Sequence, residues 1–197
     1  GLQGSRGRGE AGLDSDIDVV CILDTCSLED LEAYRAAVEP LPERDELCGF
    51  VSGAAELAAW DRAELFQFRH DTTHWYGRLA DLLPPEDKED ARRALHTGAC
   101  SVYHLCCHNF LHGRSREAVA EAYKSAVFLL QAKVYVERGV YCRRRADLVG
   151  MLTGADLDIL RTAQALKAGD CGEELTALTE RLFTWSGEIM RRYKTAL

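Results

Sequence analysis

Gly4-Ser5-Arg6-Gly7-Arg8-Gly9 opens the stretch that decides the fold, and Asp16-Ile17-Asp18-Val19-Val20-Cys21-Ile22-Leu23 closes it. The apolar residues at 17–23 predict a β-strand. Glycine and serine at the turn between a strand and a helix allow backbone N–H groups to approach phosphate oxygens closely. Gly4 and Ser5 are therefore predicted to bind the phosphates of a nucleotide.

Two acids and two arginines complete this predicted site. Asp16 and Asp18 are two residues apart on a strand, so both carboxylates point to one face and can bind one cluster of hard cations. Arg6 and Arg8 lie where their guanidinium groups can reach a triphosphate and offset the charge that develops as pyrophosphate leaves. An exposed acidic turn is the alternative reading of the two aspartates, but it leaves the glycines and arginines unexplained.

The rest of the first half predicts short alternating elements. Ser27 and Asp30 have the spacing of a capping box, for a helix that ends near Val38. Residues 47–51 predict a second strand because they are apolar and follow a polar turn. Further predicted elements are a helix at 54–60, strands at 65–68 and 73–76, and a helical turn at 79–83.

The second half is periodic and predicts helices alone. Apolar positions recur every three or four residues along 91–110, in a helix that stops at Gly113, and a second helix runs from Ser115 to Gly139. Helices at 145–152, 155–166 and 175–193 follow. The predicted fold class is α/β (α+β): a small mixed-sheet domain at residues 1–83, then an all-helical bundle domain at 84–197.

Composition excludes several classes of protein. The formal net charge of −8 and the pI near 5.3 argue against a broad nucleic-acid-binding surface, which needs clustered Lys and Arg. The eight cysteines form no C-x-x-C pair and follow no apolar signal segment, which indicates reduced thiols in a cytoplasmic protein. No apolar run approaches the roughly 20 residues that span a bilayer, so no membrane association is predicted.

The order Gly-Ser-x-x-x-Gly, then Ser-Asp-x-Asp and a hydrophobic strand, resembles the signature of the minimal and aminoglycoside nucleotidyltransferases of the DNA polymerase beta-like superfamily. Tyr76-Gly77 is similar to the closing strand of these domains. Residues 128–148 resemble the helical domain known as HEPN, a common partner of such transferases. The family resemblance also implies that the chain pairs as a homodimer.

This resemblance implies a two-metal transfer of a nucleoside monophosphate, AMP from ATP, to a hydroxyl of a small molecule or protein. Asp16 and Asp18 would bind Mg²⁺. Gly4 and Ser5 would hold the β- and γ-phosphates. Catalytic HEPN ribonucleases carry an Arg-x(4–6)-His motif, and Ala146 stands at the expected histidine position, so ribonuclease activity is not predicted.

The chain departs from the family pattern at the third metal-binding acid, whose place falls near Cys48. Cysteine is a poor ligand for magnesium. Glu46 lies two residues away on the same face and is the predicted third ligand, with Asp45 as a substitute. If neither acts, the alternative function is a catalytically reduced nucleotide-binding or antitoxin-like interaction protein. The family's usual first helix and most of its first strand are absent before Gly1, so the chain is expected to be N-terminally incomplete.

The helical domain supplies further candidates for a site expected between the two domains. In related antibiotic transferases an acid and a lysine of this domain activate the acceptor and contact the triphosphate, which suggests Glu121 and Lys124; a surface ion pair is an equal alternative. His104 or His108 is predicted to position the acceptor hydroxyl or to act as general base. A zinc site is disfavoured, because histidines or cysteines placed every four residues drift about 40° per step around a helix. The residues in this row are His96, Cys100, His104, His108 and His112.

Overall fold

The computed structural model describes residues 1–12 and 15–194, which are mixed α/β and mostly helical. The chain divides into two compact units, Gly1–Glu86 and Asp87–Leu197. The division falls directly after Pro84-Pro85-Glu86, at the proline pair that cannot continue a helix.

In its described residues the first unit alternates short helices with two strands. Its sheet consists of β1 and β2, which run parallel with Ile17 opposite Leu47, Asp18 opposite Cys48 and Leu23 opposite Gly53. The elements are α1 (Gly4–Arg8), β1 (Ile17–Leu23), α2 (Leu28–Val38), β2 (Leu47–Gly53), α3 (Ala54–Ala58) and α4 (Arg62–Asp71). The predicted strand at 47–51, the helix at 54–60 and the helical turn near 79–83 are confirmed, the last as Leu79–Asp81.

The residues before α1 continue the sheet on the other side of β1. Leu2 forms isolated antiparallel bridges to Val19 and Thr73. The backbone N–H of Gln3 donates to the carbonyl oxygen of Asp18 at 2.8 Å. The chain therefore enters α1 directly beside the position of Asp18. The predicted mixed sheet is thus two parallel strands with single-residue antiparallel bridges.

Capping and a small apolar core hold this unit together. The capping box before α2 is confirmed: Asp30 N–H donates to Ser27 Oγ at 3.2 Å, and Ser27 N–H donates to Asp30 Oδ2 at 2.8 Å. Ile22, Phe50 and Phe68 pack against a buried leucine cluster. The sheet is therefore covered on this side by α3, α4 and the turn after them. The cluster contains Leu57, Leu65, Leu79 and Leu83.

Two predicted strands are wrong. Residues 65–68 belong to α4, because Asp61 caps this helix by accepting from Ala63 N–H at 2.8 Å and Leu65 and Phe66 are both buried on it. A four-residue apolar run cannot by its period distinguish a strand from a turn of helix. At 73–76 only Thr73 pairs, through its single bridge to Leu2, and the residues that follow have no strand partner in the described parts of the chain.

The described residues of the second unit contain helices and connecting turns. The helices predicted at 91–110, 115–139, 145–152, 155–166 and 175–193 are confirmed. α5 packs on α6 and α9, and α6 packs on α8. The helices are α5 (Lys88–His108), α6 (Arg116–Arg138), α7 (Arg145–Leu148), α8 (Gly154–Ala168) and α9 (Leu175–Arg192).

The connections in this unit follow from local chemistry. Gly139 ends α6 in the left-handed conformation with a φ of 70°. Between α5 and α6, the buried Asn109 donates to the Ser115 carbonyl at 2.9 Å and accepts from the Ser115 N–H at 3.0 Å. These bonds hold a π-helical turn at Asn109–Gly113. Across residues 1–12 and 15–194, no helix combines the length and apolarity needed to cross a bilayer.

Candidate functional site

The turn at Gly4 requires glycine for two reasons. Its φ of 64° lies in the left-handed region that other residues rarely adopt. A Cβ at this position would lie 1.8 Å from Asp18 Oδ2, so any other residue here would force the Asp18 side chain to move. The Asp18 carboxylate therefore packs against the backbone where α1 begins, and the structure brings these two predicted site residues together.

The predicted acids lie at the amino ends of the two parallel strands. Asp16 is exposed and directly precedes β1, while Asp18 is half-buried on β1. Cys48 is exposed and pairs with Asp18 in the sheet register, so the two side chains project from the same face. Glu46 directly precedes β2 and is half-buried. The position facing Asp18 is therefore held by a thiol.

Arg6 joins the amino ends of both strands. Its Nη2 contacts Glu46 Oε2 at 2.8 Å. Its Nε donates to the carbonyl oxygens of Ser15 and Asp16 at 3.0 and 3.2 Å. The predicted third metal ligand, Glu46, is thus bound to the predicted phosphate ligand Arg6.

Arg8 occupies a different environment. Only 4% of its side chain is exposed; its Nη1 contacts Asp71 Oδ2 at 2.6 Å, and its Nε contacts Glu10 Oε2 at 3.1 Å. Thr73 Oγ1 donates to the Gly7 carbonyl at 2.8 Å, which adds a second attachment of α1. These contacts favour a structural role for Arg8 over the predicted contact with phosphate. The sequence gives no signal for Asp71, which lies 63 residues away.

Replacing Arg8 by methionine is expected to lower the free energy of unfolding by about 3–5 kcal/mol, because the change leaves the Asp71 carboxylate buried without its guanidinium. Arg35→Met is the matched control, since Arg35 pairs with Glu32 on the surface of α2 and such pairs contribute about 1 kcal/mol or less. Urea unfolding of both variants measures the difference. Equal midpoints for the two variants would contradict a structural role for Arg8.

The carboxylates at this site are of the type that a magnesium ion binds together with other ligands. Within residues 1–12 and 15–194, no group of three or more His, Cys, Asp or Glu side chains is arranged to hold a metal ion. Asp16 and Asp18 offer carboxylate oxygens, and Glu46 is engaged by Arg6. Magnesium in proteins is commonly bound by one or two carboxylates together with substrate phosphates and water. Asp16, Asp18 and the turn at Gly4 are the parts that would hold it.

Tyr34 of α2 lies near the same edge of the sheet. Burial raises the pKa of its hydroxyl, and the Cys21 and Cys48 thiols raise that pKa further when they ionise. A Cβ at Gly49 would lie 3.6 Å from the Tyr34 hydroxyl, so this phenol packs on the face of β2 that lies opposite the Cys48 side chain. The side chain of Cys48 therefore shares its face of the sheet with the Asp18 carboxylate, and the phenol lies on the other face.

The candidates of the second unit lie on exposed helix surface. Lys124 Nζ contacts Glu121 Oε2 at 3.3 Å, and both side chains are more than half exposed, which is the surface pair considered as the alternative. The ring centroids of His104 and His108 are 6.2 Å apart, and those of His108 and His112 are 5.0 Å apart. Roles for these residues with an acceptor or a triphosphate stay predictions.

A groove of about 360 Å³ lies between α8 and α9 in the second unit. It contains none of the residues that the sequence singled out. Arg181 at its edge is held by Glu173, with contacts of 3.0 and 2.5 Å. The groove is lined by Ala155, Asp158, Ile159, Ala177, Glu180, Arg181, Thr184, Trp185 and Glu188.

Comparison with known proteins finds no match to this chain among protein-family models, curated proteins or solved structures.

Proposed function

We propose that this chain is a magnesium-dependent nucleotidyltransferase that moves a nucleoside monophosphate, AMP from ATP, to a hydroxyl group of a small molecule or a protein. The contact between Gly4 and Asp18 is the observation that supports this proposal most directly. It combines a backbone conformation that favours glycine with a carboxylate suited to a hard cation. A phosphate at this turn would lie within reach of a cation on Asp18.

Each residue of the site has a role in this proposal. Gly4 and Ser5 bind phosphate oxygens through their backbone N–H groups. Asp16 and Asp18 orient the nucleotide by holding its magnesium ion. When bound, that ion neutralises charge on the phosphates and lowers the barrier to transfer. Arg6, which is one-third exposed, can contact the phosphates, whereas the ion pairs of Arg8 position α1.

The acceptor side of the reaction is proposed for the second unit. His104 or His108 would position the acceptor hydroxyl or accept its proton. Lys124 would contact the triphosphate. The same proposal includes a HEPN-like identity for the helical unit and a homodimer as the state of the chain. A cytoplasmic location also belongs to it.

A second candidate function follows from Cys48. A thiol faces Asp18 where the resemblance leads us to expect an acid, and a thiol binds magnesium poorly. The chain would then be a nucleotide-binding or antitoxin-like interaction protein with reduced catalysis. This function requires phosphate binding at the turn of Gly4 and Ser5 but no catalysis.

Incubation with α-³²P-labelled ATP, Mg²⁺ and a panel of hydroxyl acceptors tests both candidates. Transfer of the label with release of pyrophosphate is the expected result. Binding of Mg²⁺-ATP in equilibrium dialysis without pyrophosphate release would overturn the transferase and favour the second candidate. A protein that binds no nucleotide at all would overturn both.

A further inference from the structure

The two arginines of α1 differ in how strongly the protein holds them. The Arg8 side chain is 4% exposed and contacts two carboxylates, Asp71 and Glu10. The Arg6 side chain is 32% exposed; its Nη2 contacts the Glu46 carboxylate, which is itself 44% exposed, and its Nε donates to the carbonyl oxygens of Ser15 and Asp16. Ion pairs with this exposure are weak because water screens them. A polyanion can therefore reach Arg6 and compete for its guanidinium.

A polyphosphate is a stronger partner for Arg6 than Glu46 is. It offers several charged oxygens in the geometry that a guanidinium group binds with two parallel hydrogen bonds. Arg6 also belongs to α1, the helix that begins at Gly4, so a phosphate at this turn lies within the same short element. The guanidinium would exchange one carboxylate for a group of higher charge.

The release of Glu46 has a consequence for the metal. Glu46 directly precedes β2, as Asp16 directly precedes β1, and Arg6 bonds both the Glu46 carboxylate and the Asp16 carbonyl. When the guanidinium moves to phosphate, Glu46 becomes a free carboxylate at the edge where Asp16 and Asp18 lie.

We propose that Arg6 couples nucleotide binding to assembly of the metal site, a proposal that rests on the function proposed above. The Arg6–Glu46 ion pair keeps the third carboxylate away from the cation. A bound polyphosphate takes the guanidinium and frees Glu46 to become a metal ligand. By linkage, polyphosphate and the cation each raise the affinity for the other, whereas removing Glu46 raises the affinity for polyphosphate alone and removing Arg6 raises the affinity for the cation alone.

The first test measures binding of inorganic tripolyphosphate in EDTA, so that no metal contributes. Glu46→Gln is expected to tighten binding about two- to fivefold, the effect of freeing Arg6 from a half-exposed ion pair. Asp45→Asn is the matched control, because it removes the same charge from an exposed neighbouring residue. In an Arg6→Gln background, Glu46→Gln should have no more effect than Asp45→Asn.

The second test measures binding of Mn²⁺ without polyphosphate by electron paramagnetic resonance. Arg6→Gln is expected to tighten Mn²⁺ binding about two- to fivefold, because Glu46 becomes available. The double variant Arg6→Gln/Glu46→Gln should lose this gain. Persistence of the gain in the double variant would show a general charge effect and overturn the coupling.

Failure of this inference differs from failure of the proposed function. Suppose that the wild-type protein binds Mg²⁺-ATP. If Glu46→Gln and Asp45→Asn then bind tripolyphosphate with equal affinity, or if Glu46→Gln does not bind tripolyphosphate, the coupling is wrong and the nucleotide site stands. If the wild-type protein does not bind Mg²⁺-ATP, the function itself is wrong. Circular dichroism of each variant confirms that the fold is retained.

Discussion

Replacing Asp18 by asparagine is expected to reduce nucleotidyl transfer at least about 100-fold, the scale found when a group that stabilises transition-state charge is removed. Asparagine has nearly the same shape as aspartate, so its side chain can still pack against the backbone of Gly4. The loss therefore comes from the missing charge toward the cation rather than from the fold. Label transfer from ATP at saturating Mg²⁺ measures it.

Asp24→Asn is the control for this change. Asp24 follows the other end of β1 and is exposed, so the same substitution there removes one negative charge without touching the turn at Gly4. Its rate should stay within about twofold of the wild type, as expected for a surface substitution away from the site. Equal rates for Asp18→Asn and wild type would remove Asp18 from the mechanism.

Several of the elements that the sequence predicts correctly carry their own start or stop signals. The Ser27 and Asp30 capping box sets the start of α2, and Ser115 and Gly139 bound α6. The strand at 65–68 fails because its short apolar run fits either type of element. Its position in α4 depends on the cap at Asp61 and on burial in the leucine cluster, which only the folded chain provides.

The candidate site likewise has one part that the local sequence predicts and another part that it does not. Gly4 and Asp18 are close in sequence and joined by the strand bridge at Leu2, so the local pattern is sufficient to bring them together. The different roles of Arg6 and Arg8 depend on partners 40 and 63 residues away. Side-chain pairing at that distance follows from how α4 and β2 pack, which no local pattern contains.

For Cys48, the expected place of the third acid and the sheet register together define the position relative to Asp18. The family resemblance implies that the third acid falls near this residue, and the sheet register places Cys48 directly opposite Asp18. Neighbouring strands lie about 4.8 Å apart, and paired side chains project from the same face. A carboxylate at this position would therefore stand beside Asp18 at the exposed edge of the sheet.

Cys48→Asp is expected to tighten binding of Mg²⁺ or Mn²⁺ about tenfold, equivalent to about 1.4 kcal/mol, because it adds a hard oxygen ligand next to Asp18. The same change is expected to lower stability by a few tenths of a kcal/mol without metal, since like charges on paired strand positions repel. Calorimetric titration with each cation measures the affinity. Cys48→Ser is the control, because it removes the thiol without adding charge.

The rate of label transfer by the Cys48→Asp variant then decides between the two proposed functions. If the natural chain is an active transferase, Glu46 already supplies the third carboxylate and the added acid raises the rate only modestly. If the natural chain binds nucleotide without turnover, transfer appears with Cys48→Asp and not with Cys48→Ser. Equal cation affinity of the two variants would show that the edge beside Asp18 is not a metal site. Cys48 would then explain neither an active transferase that uses Glu46 instead nor a protein with reduced catalysis.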